Sequence, residues 1–433
     1  MINTENKKKY KSIHSSYDAV IVGGGIGGSV AAIQLAKQGK KVLQIERENT
    51  PRHKACSGIQ FPYFEKLIGV KIPKDFKHTP LTKTQLTATE IDYPPTSKGK
   101  KKNMKANFPM TNFMRNTFDD WLNKEAIKAG TEFHDKTSFV NLKEEKDEII
   151  VKMHVFDKNG KKIENKNIKT KYLIGADGVN SSVRKNIRPN DFKEKSSNKG
   201  EGINYYIKPK DNSKIKIDKN TLLQIWNVDY NNEMFAWVYI KDEPKCDIKK
   251  TKKGICTNSW VIGTSYTGKN IEKVGKNLLK YVADNYGLEG DILRTEKIKV
   301  DLALNNPNKR FAFGEGKHGN ILLIGDSAGL IDPVRGLGMD ASALSAHKAV
   351  NSILESEKCT KEKCPTPADI YNEKMKRIKD DMIKSNAETK NVFNNNEDLS
   401  NYIDKKLNPI SGIKKILCSK FNKWRKPQNM KLC

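Results

Sequence analysis

Residues 17–22 form a short apolar run interrupted only by Asp18. A glycine turn follows over 23–28, then a helical pattern over 29–38 that Gly39 stops, and a second strand-like run over 41–46. This succession predicts a strand–helix–strand unit whose strands are parallel and buried. Residues 112–129 place Phe113, Phe118, Leu122 and Ile127 on roughly one face and read as a helix. Alternating apolar and polar positions over 139–156 and 168–174 predict antiparallel strands, and 201–267 is strand-rich, with many aromatic residues and Thr. A helix is expected over 274–286. A short buried strand over 320–324 leads into a glycine-rich turn and a helix from about 340 to 353. The stretch 79–105, rich in Thr, Lys and Pro, reads as an excursion or hairpin. Beyond 355 the chain is charged and helical, with an Asn-rich break at 394–396. No internal repeat is visible.

At 433 residues the chain is long enough for two or three domains or one large composite domain. Hydrophobic residues make up 36% and charged residues 30%, lean for a globular protein but above the disordered regime. The net charge of +29 suits a polyanionic partner: nucleic acid, an anionic membrane face or an acidic protein. The excess is Lys scattered among Asn, which AT-rich coding DNA produces unaided. No RNA-binding motif accompanies it, so nucleic acid is not the expected partner. The first fifteen residues hold no apolar run that could act as a signal peptide. The longest apolar stretches, 19–33 and 321–331, are short and broken by Gly or Asp, and neither is expected to span a bilayer. Seven cysteines without a signal predict a reducing cytoplasm and no disulfide framework. Cys359 and Cys364 lack the flanking His pattern of a zinc site, and no metal is expected. Residues 410–425 bring Ile410, Ile413, Ile416, Leu417, Phe421 and Trp424 near helical spacing among lysines. Such a basic amphipathic helix suits peripheral membrane contact or packing against the protein body.

Three segments carry candidate chemistry. In the first, Gly23, Gly25 and Gly28 satisfy G-x-G-x-x-G between a strand and a helix. Gly23 allows the tight turn, Gly25 lets backbone approach a pyrophosphate, and Gly28 lets helix and strand pack closely. Glu46, about twenty residues on at the end of the next strand, is placed to accept ribose hydroxyls. In the second, a buried strand ends in Ala176, Asp177 and Gly178, with Arg184 after it; alone, this is equally an ordinary Asp-Gly turn. In the third, a buried strand delivers Gly325 and Asp326, then Pro333, Gly336 and Gly338 ahead of a helix start rich in small residues. The carboxyl ends of strands are where open α/β sheets place ligands, and a helix start favours anionic groups.

Taken together, in this order and at these distances, the three segments resemble the flavoprotein hydroxylase superfamily. The resemblance covers roughly residues 17–353. It implies an α/β fold with a discontinuous, Rossmann-like FAD-binding domain (17–75, 106–185 and 310–353), a β-rich substrate domain (76–105 and 186–309) and a helical, basic C-terminal region (354–433). It also implies FAD as cofactor, with Glu46 on the adenosine ribose, Asp177 near the pyrophosphate and Asp326 on the ribityl chain. Arg115, ahead of a Phe-Asp-x-x-Leu helix, matches the family's Arg that touches FAD.

Within the superfamily, Cys56-Ser57-Gly58-Ile59 resembles the Cys-x-x-Gly stretch of the geranylgeranyl reductase family with one residue fewer. The strands holding Tyr205, Tyr206 and Trp237 are similar to that family's substrate strands, although Phe235, Tyr239 and Ile240 depart from its Tyr-x-Trp-x-Phe-Pro-Lys motif. The branch implies reduction of carbon–carbon double bonds in an isoprenoid or prenyl lipid. Cys56 is the candidate catalytic residue, and a buried inert thiol is its plain alternative. Tyr205, Tyr206 and Trp237, with Trp226 and Phe235, are candidates to line an apolar tunnel; such aromatics also serve as plain core. His53 and Lys54 are weaker candidates as acid or phosphate contacts. There is no second nucleotide fingerprint, so the electron donor is expected to be NAD(P)H bound in passing or an acidic ferredoxin. The rival readings are an aromatic hydroxylase using NAD(P)H and oxygen, a halogenase, and a flavin-bearing RNA-binding protein.

Overall fold

The computed structural model describes residues 13–73, 83–94, 102–192, 199–241, 259–268, 270–301, 310–331, 338–389 and 391–406. They build two eight-stranded sheets. The first contains β1 (Ser16–Val22), β2 (Val42–Ile45), β6 (Glu132–His134), β7 (Thr137–Glu144), β8 (Ile149–Phe156), β9 (Lys162–Gly175), β15 (Gly314–Glu315) and β16 (Ile321–Leu323). Its central order is β15-β16-β9-β1-β2-β6. Strands β16, β9, β1 and β2 run parallel, and Leu323, Gly175, Val22 and Ile45 lie side by side at their carboxyl ends. Residues 162–170 of β9 pair antiparallel with β8, whereas 169–175, most of the stretch expected to be antiparallel, pair parallel with β1 and β16.

The predicted strand–helix–strand opening is present, with one difference. Helix α1 (Ile26–Lys37) starts inside the glycine turn, capped by Gly25, instead of at 29. Glycine in the first turn leaves the N–H groups at the helix start open instead of covering them with side chains. Helix α3 (Arg115–Lys128) buries Phe118, Trp121, Leu122 and Ala126. Ile127, expected on that face, is 49% exposed. It lies nine residues from Phe118, which at 100° per residue is the opposite side of the helix.

The second sheet has the order β14-β10-β13-β12-β11-β4-β5-β3. Its members are β3 (Ile59–Gln60), β4 (Lys83–Tyr93), β5 (Lys102–Phe113), β10 (Lys199–Pro209), β11 (Thr221–Ile225), β12 (Ala236–Lys241), β13 (Ser259–Thr267) and β14 (Gly290–Asp301). Strands β4 and β5 form the hairpin expected over 79–105, but β5 runs on to Phe113, so Phe113 lies on the strand and not on the helix expected over 112–129. Helix α5 (Ile271–Tyr286), capped by the Asn270 side chain on the Glu272 and Lys273 amides, covers one face of the sheet. Strand register divides the side chains. Tyr205, Ile262 and Val238 face α5, whereas Tyr206, Val261 and Tyr239 face the other way, toward Ile59 and Leu86.

Helix α6 (Met339–Glu357) follows the third motif, and α7 (Pro367–Thr389) and α8 (Asn396–Lys406) continue the helical region. Short helices α2 (Phe64–Ile68) and α4 (Ser182–Ile187) complete the set among the described residues. Leu399 and Ile403 of α8 pack with Trp226, Ile91 and Tyr93, and the Trp226 ring stacks on Phe393. Trp226 and Phe235 are thus core beneath the C-terminal helix and not tunnel lining. Cys359 and Cys364 form a disulfide, against the expectation of free thiols. The turn after α6 brings their Cα atoms to 5.8 Å, within bridging range. Among the described residues no helix is long and apolar enough to cross a membrane, and no group of three or more His, Cys, Asp or Glu could hold a metal. Residues 410–425 lie outside the described residues.

Candidate active site

The three motifs meet because β1, β9 and β16 are neighbours with aligned carboxyl ends. Two glycines make this approach possible. Gly23 has φ +118°, and a Cβ there would sit 2.3 Å from the Ala176 carbonyl oxygen. A Cβ on Gly28 would sit 2.0 Å from the Gly23 carbonyl oxygen. Backbone from two motifs therefore touches directly.

Above these contacts the surface is open. A Cβ on Gly25 would meet only Arg52 Nη2, at 3.2 Å, and one on Gly178 would meet nothing within 4 Å. No side chain caps the start of α1. An uncovered helix start between two bare glycine backbones fits the pyrophosphate of a dinucleotide. Glu46 Oε2 accepts the Gly24 N–H at 2.9 Å and pairs with Arg52 Nε at 3.0 Å. Asp177 accepts from the Ser182 and Val183 amides and the Ser181 hydroxyl, and so caps α4. Burial pushes its carboxyl above the usual range despite those hydrogen bonds. Asp326 stands at the end of β16 with Lys54 Nζ 3.4 Å away, and a Cβ on Gly338 would lie 3.1 Å from its Oδ1. Gly325, at φ +61°, donates its N–H to Ser345 Oγ at 3.0 Å. Pro333 and Gly336 lie outside the described residues.

Two arginines stitch this region together. Arg52 bridges Glu46 and Asp119, the latter at 3.2 Å. Arg184 donates to the Arg310 and Ser327 carbonyls at 2.9 and 3.2 Å and pairs with Asp191 at 2.8 Å, tying the second motif to the third. Arg115 is buried in a two-pronged pair with Asp119, both contacts 2.8 Å. Burial alone would lower its pKa, but Asp119 and the neighbouring Cys56 raise it, and it stays charged. Cys56 is half-buried beside Arg115, with Sγ 3.9 Å from Met339 Sδ at the start of α6.

The face of the second sheet away from α5 carries a polar cluster. Lys241, 2% exposed, donates to the Cys56 and Ser57 carbonyls at 3.0 and 3.1 Å and so fixes the cysteine segment. The Tyr206 hydroxyl donates to Glu296 Oε2 at 3.0 Å, while Glu296 Oε1 lies 3.0 Å from His53 Nε2. The Arg294 guanidinium lies 3.7 Å from the Tyr206 ring centroid. Burial pushes the Glu296 carboxyl up, but His53, Arg294 and Lys241 hold it below the usual range. The Trp237 indole donates to Asn204 Oδ1 at 2.9 Å on this face. The buried Tyr239 hydroxyl finds no hydrogen-bond partner among the described residues. Tyr205 points the other way and packs on Gly275 of α5, so of the three substrate candidates the structure groups only Tyr206 and Trp237 on this face.

A mixed sheet with a dinucleotide cradle at its parallel strand ends, beside a mostly antiparallel second sheet, fits an FAD-binding flavoprotein. Residues 16–232 match the FAD binding domain family, half of the chain, and the chain belongs to that family, with FAD as its cofactor. Its relatives include digeranylgeranylglycerophospholipid reductase 3 of Methanosphaera stadtmanae, 24% identical over 396 residues and 89% of each chain. Digeranylgeranylglycerophospholipid reductase of Methanocella arvoryzae is 25% identical over 354 residues, 78% of each chain. The crystal structure of a geranylgeranyl bacteriochlorophyll reductase-like protein from Thermoplasma acidophilum superposes with a TM-score of 0.69 at 18% identity, covering 95% of this chain and 98% of that one.

Proposed function

We propose that the protein is an FAD-dependent oxidoreductase that reduces carbon–carbon double bonds of a prenyl lipid. The observation that carries this reading is that similarity to a reductase of that kind runs over 89% of the chain, through both sheets and not the cradle alone. Bound FAD, once reduced, supplies hydride. The chain's own residues hold it and shape what reaches it. The open glycine backbones and the start of α1 would hold the pyrophosphate, Glu46 the ribose, and Asp326 the ribityl chain. Lys241 fixes the Cys56 segment between the cradle and the second sheet. Ile59, Leu86, Met110 and Leu222 are buried core on the face of that sheet away from α5, with part-buried Trp237 packed against them, and an isoprenoid chain would have to lie against these apolar residues. Electrons arrive from NAD(P)H bound in passing or from an acidic ferredoxin, which a chain of charge +29 would attract.

The test is anaerobic photoreduction of the purified protein, followed by mixing with geranylgeranyl lipids and mass spectrometry. Flavin reoxidation with a gain of two hydrogens per double bond is expected. Reduced flavin that persists with every prenyl compound, yet reoxidises with an aromatic acid and oxygen, would replace this reading with the hydroxylase.

A further inference from the structure

We infer that His53, Glu296 and Tyr206 form a proton line from solvent to the buried face of the second sheet, with Tyr206 handing the proton to the substrate carbon that does not receive hydride. The inference rests on the reading of the protein as a double-bond reductase.

Three features carry it. The three groups are adjacent: His53 Nε2 stands 3.0 Å from Glu296 Oε1 as an ion pair without hydrogen-bond alignment, and the Tyr206 hydroxyl donates to Glu296 Oε2 at 3.0 Å. The line runs from wet to dry, because the His53 side chain is 56% exposed whereas Tyr206 is 1% exposed. It ends beside the apolar cluster of Ile59, Leu86, Met110 and Leu222, where the buried Tyr239 hydroxyl lacks a protein partner. Packed apolar surroundings hold no water to give a proton, so a carboxylate between a surface imidazole and a buried phenol is a supply route. Burial and the Glu296 carboxylate make the Tyr206 phenol a weaker acid than a free one, and the Arg294 guanidinium over its ring opposes that rise only in part.

The step balances. The carbon–carbon π bond breaks, and the incoming hydride brings both electrons and forms one C–H bond. The Tyr206 O–H bond breaks as the second C–H bond forms. Glu296 passes to the phenolate oxygen the proton it takes from the His53 imidazolium, and His53 recovers a proton from water.

The test compares wild type, Tyr206→Phe and His53→Ala after photoreduction, following flavin reoxidation by geranylgeraniol in detergent micelles and by ferricyanide. Tyr206→Phe is expected to slow reoxidation by geranylgeraniol about 100-fold, the usual weight of a positioned acid, and reoxidation by ferricyanide less than about twofold. His53→Ala is expected to be slowed about tenfold and restored by added imidazole. Without turnover, the His53 Nε2 resonance of the flavin-free protein is expected to shift on Glu296→Gln. Wild-type rates in Tyr206→Phe, or an unmoved His53 resonance, would overturn the proton line while leaving the reductase reading intact. A wild-type protein inert toward geranylgeraniol and other prenyl lipids would overturn both.

Discussion

The cradle at the strand ends of the first sheet is built of backbone, whereas the working face of the second sheet is built of side chains. In the cradle, Gly23 and Gly28 bring main chain within van der Waals range of main chain, and the binding groups are amides and a helix start. On the second sheet, strand register brings Tyr206 beside Arg294 and Glu296, and His53 reaches them from the irregular segment ahead of β3. A backbone site demands particular residues at fixed local spacing. A side-chain site demands only that distant positions arrive on one face. The first should break abruptly on adding a single carbon atom, and the second should respond gradually and to pH.

The sharpest way to break the contrast is Gly28→Val. Its Cβ would fall 2.0 Å from a backbone oxygen that has nowhere to go. We expect a loss of about 4 kcal/mol or more, read by urea denaturation, together with a colourless protein. Arg184→Ala removes a buried guanidinium that joins two motifs and leaves Asp191 without that partner. We expect it to cost about 3 kcal/mol by the same measurement. Gly25→Ala separates binding from folding, because only the movable Arg52 guanidinium lies near its Cβ. Its melting temperature should hold while FAD affinity, measured by flavin fluorescence, falls about tenfold; unchanged affinity would mean that the pyrophosphate lies elsewhere.

The smallest effect belongs to the second layer. Burial pushes the Glu233 carboxyl up to about 7, and Ser265 only partly offsets this. The folded state therefore holds this proton more tightly than the unfolded chain does, and stability falls as pH rises from the ordinary carboxylate range to about 7. Glu233→Gln should flatten that decline by about 1 kcal/mol in melts between pH 5 and pH 8, allowing for partial exposure. An identical decline in the variant would assign it to another group.

The same contrast explains what the sequence discloses. The three glycine-and-acid turns are legible because Gly23, Gly25 and Gly28 are local requirements with a fixed spacing, and so the two-sheet flavoprotein fold is legible with them. Glu296 and Arg294 are not, because strand β14 shows two charges at alternate positions and nothing in the chain says that they face Tyr206. Tyr205 illustrates the same gap. Neighbouring tyrosines on one strand must point oppositely, but which one faces the site depends on where α5 packs. Ile127 shares its apolar character with the buried face of α3 but lies opposite Phe118, and the Cys359–Cys364 bridge depends on a turn whose closure composition does not reveal.

Arg184 has a consequence for architecture. Its partners Asp191 and Arg310 bracket residues 199–301, which supply five of the second sheet's eight strands. The long excursion thus leaves and rejoins the nucleotide-holding body at one clasp. Because β4 pairs with β11, that clasp closes a sheet which the chain enters twice, so the second excursion is seated against the first and not inserted by itself.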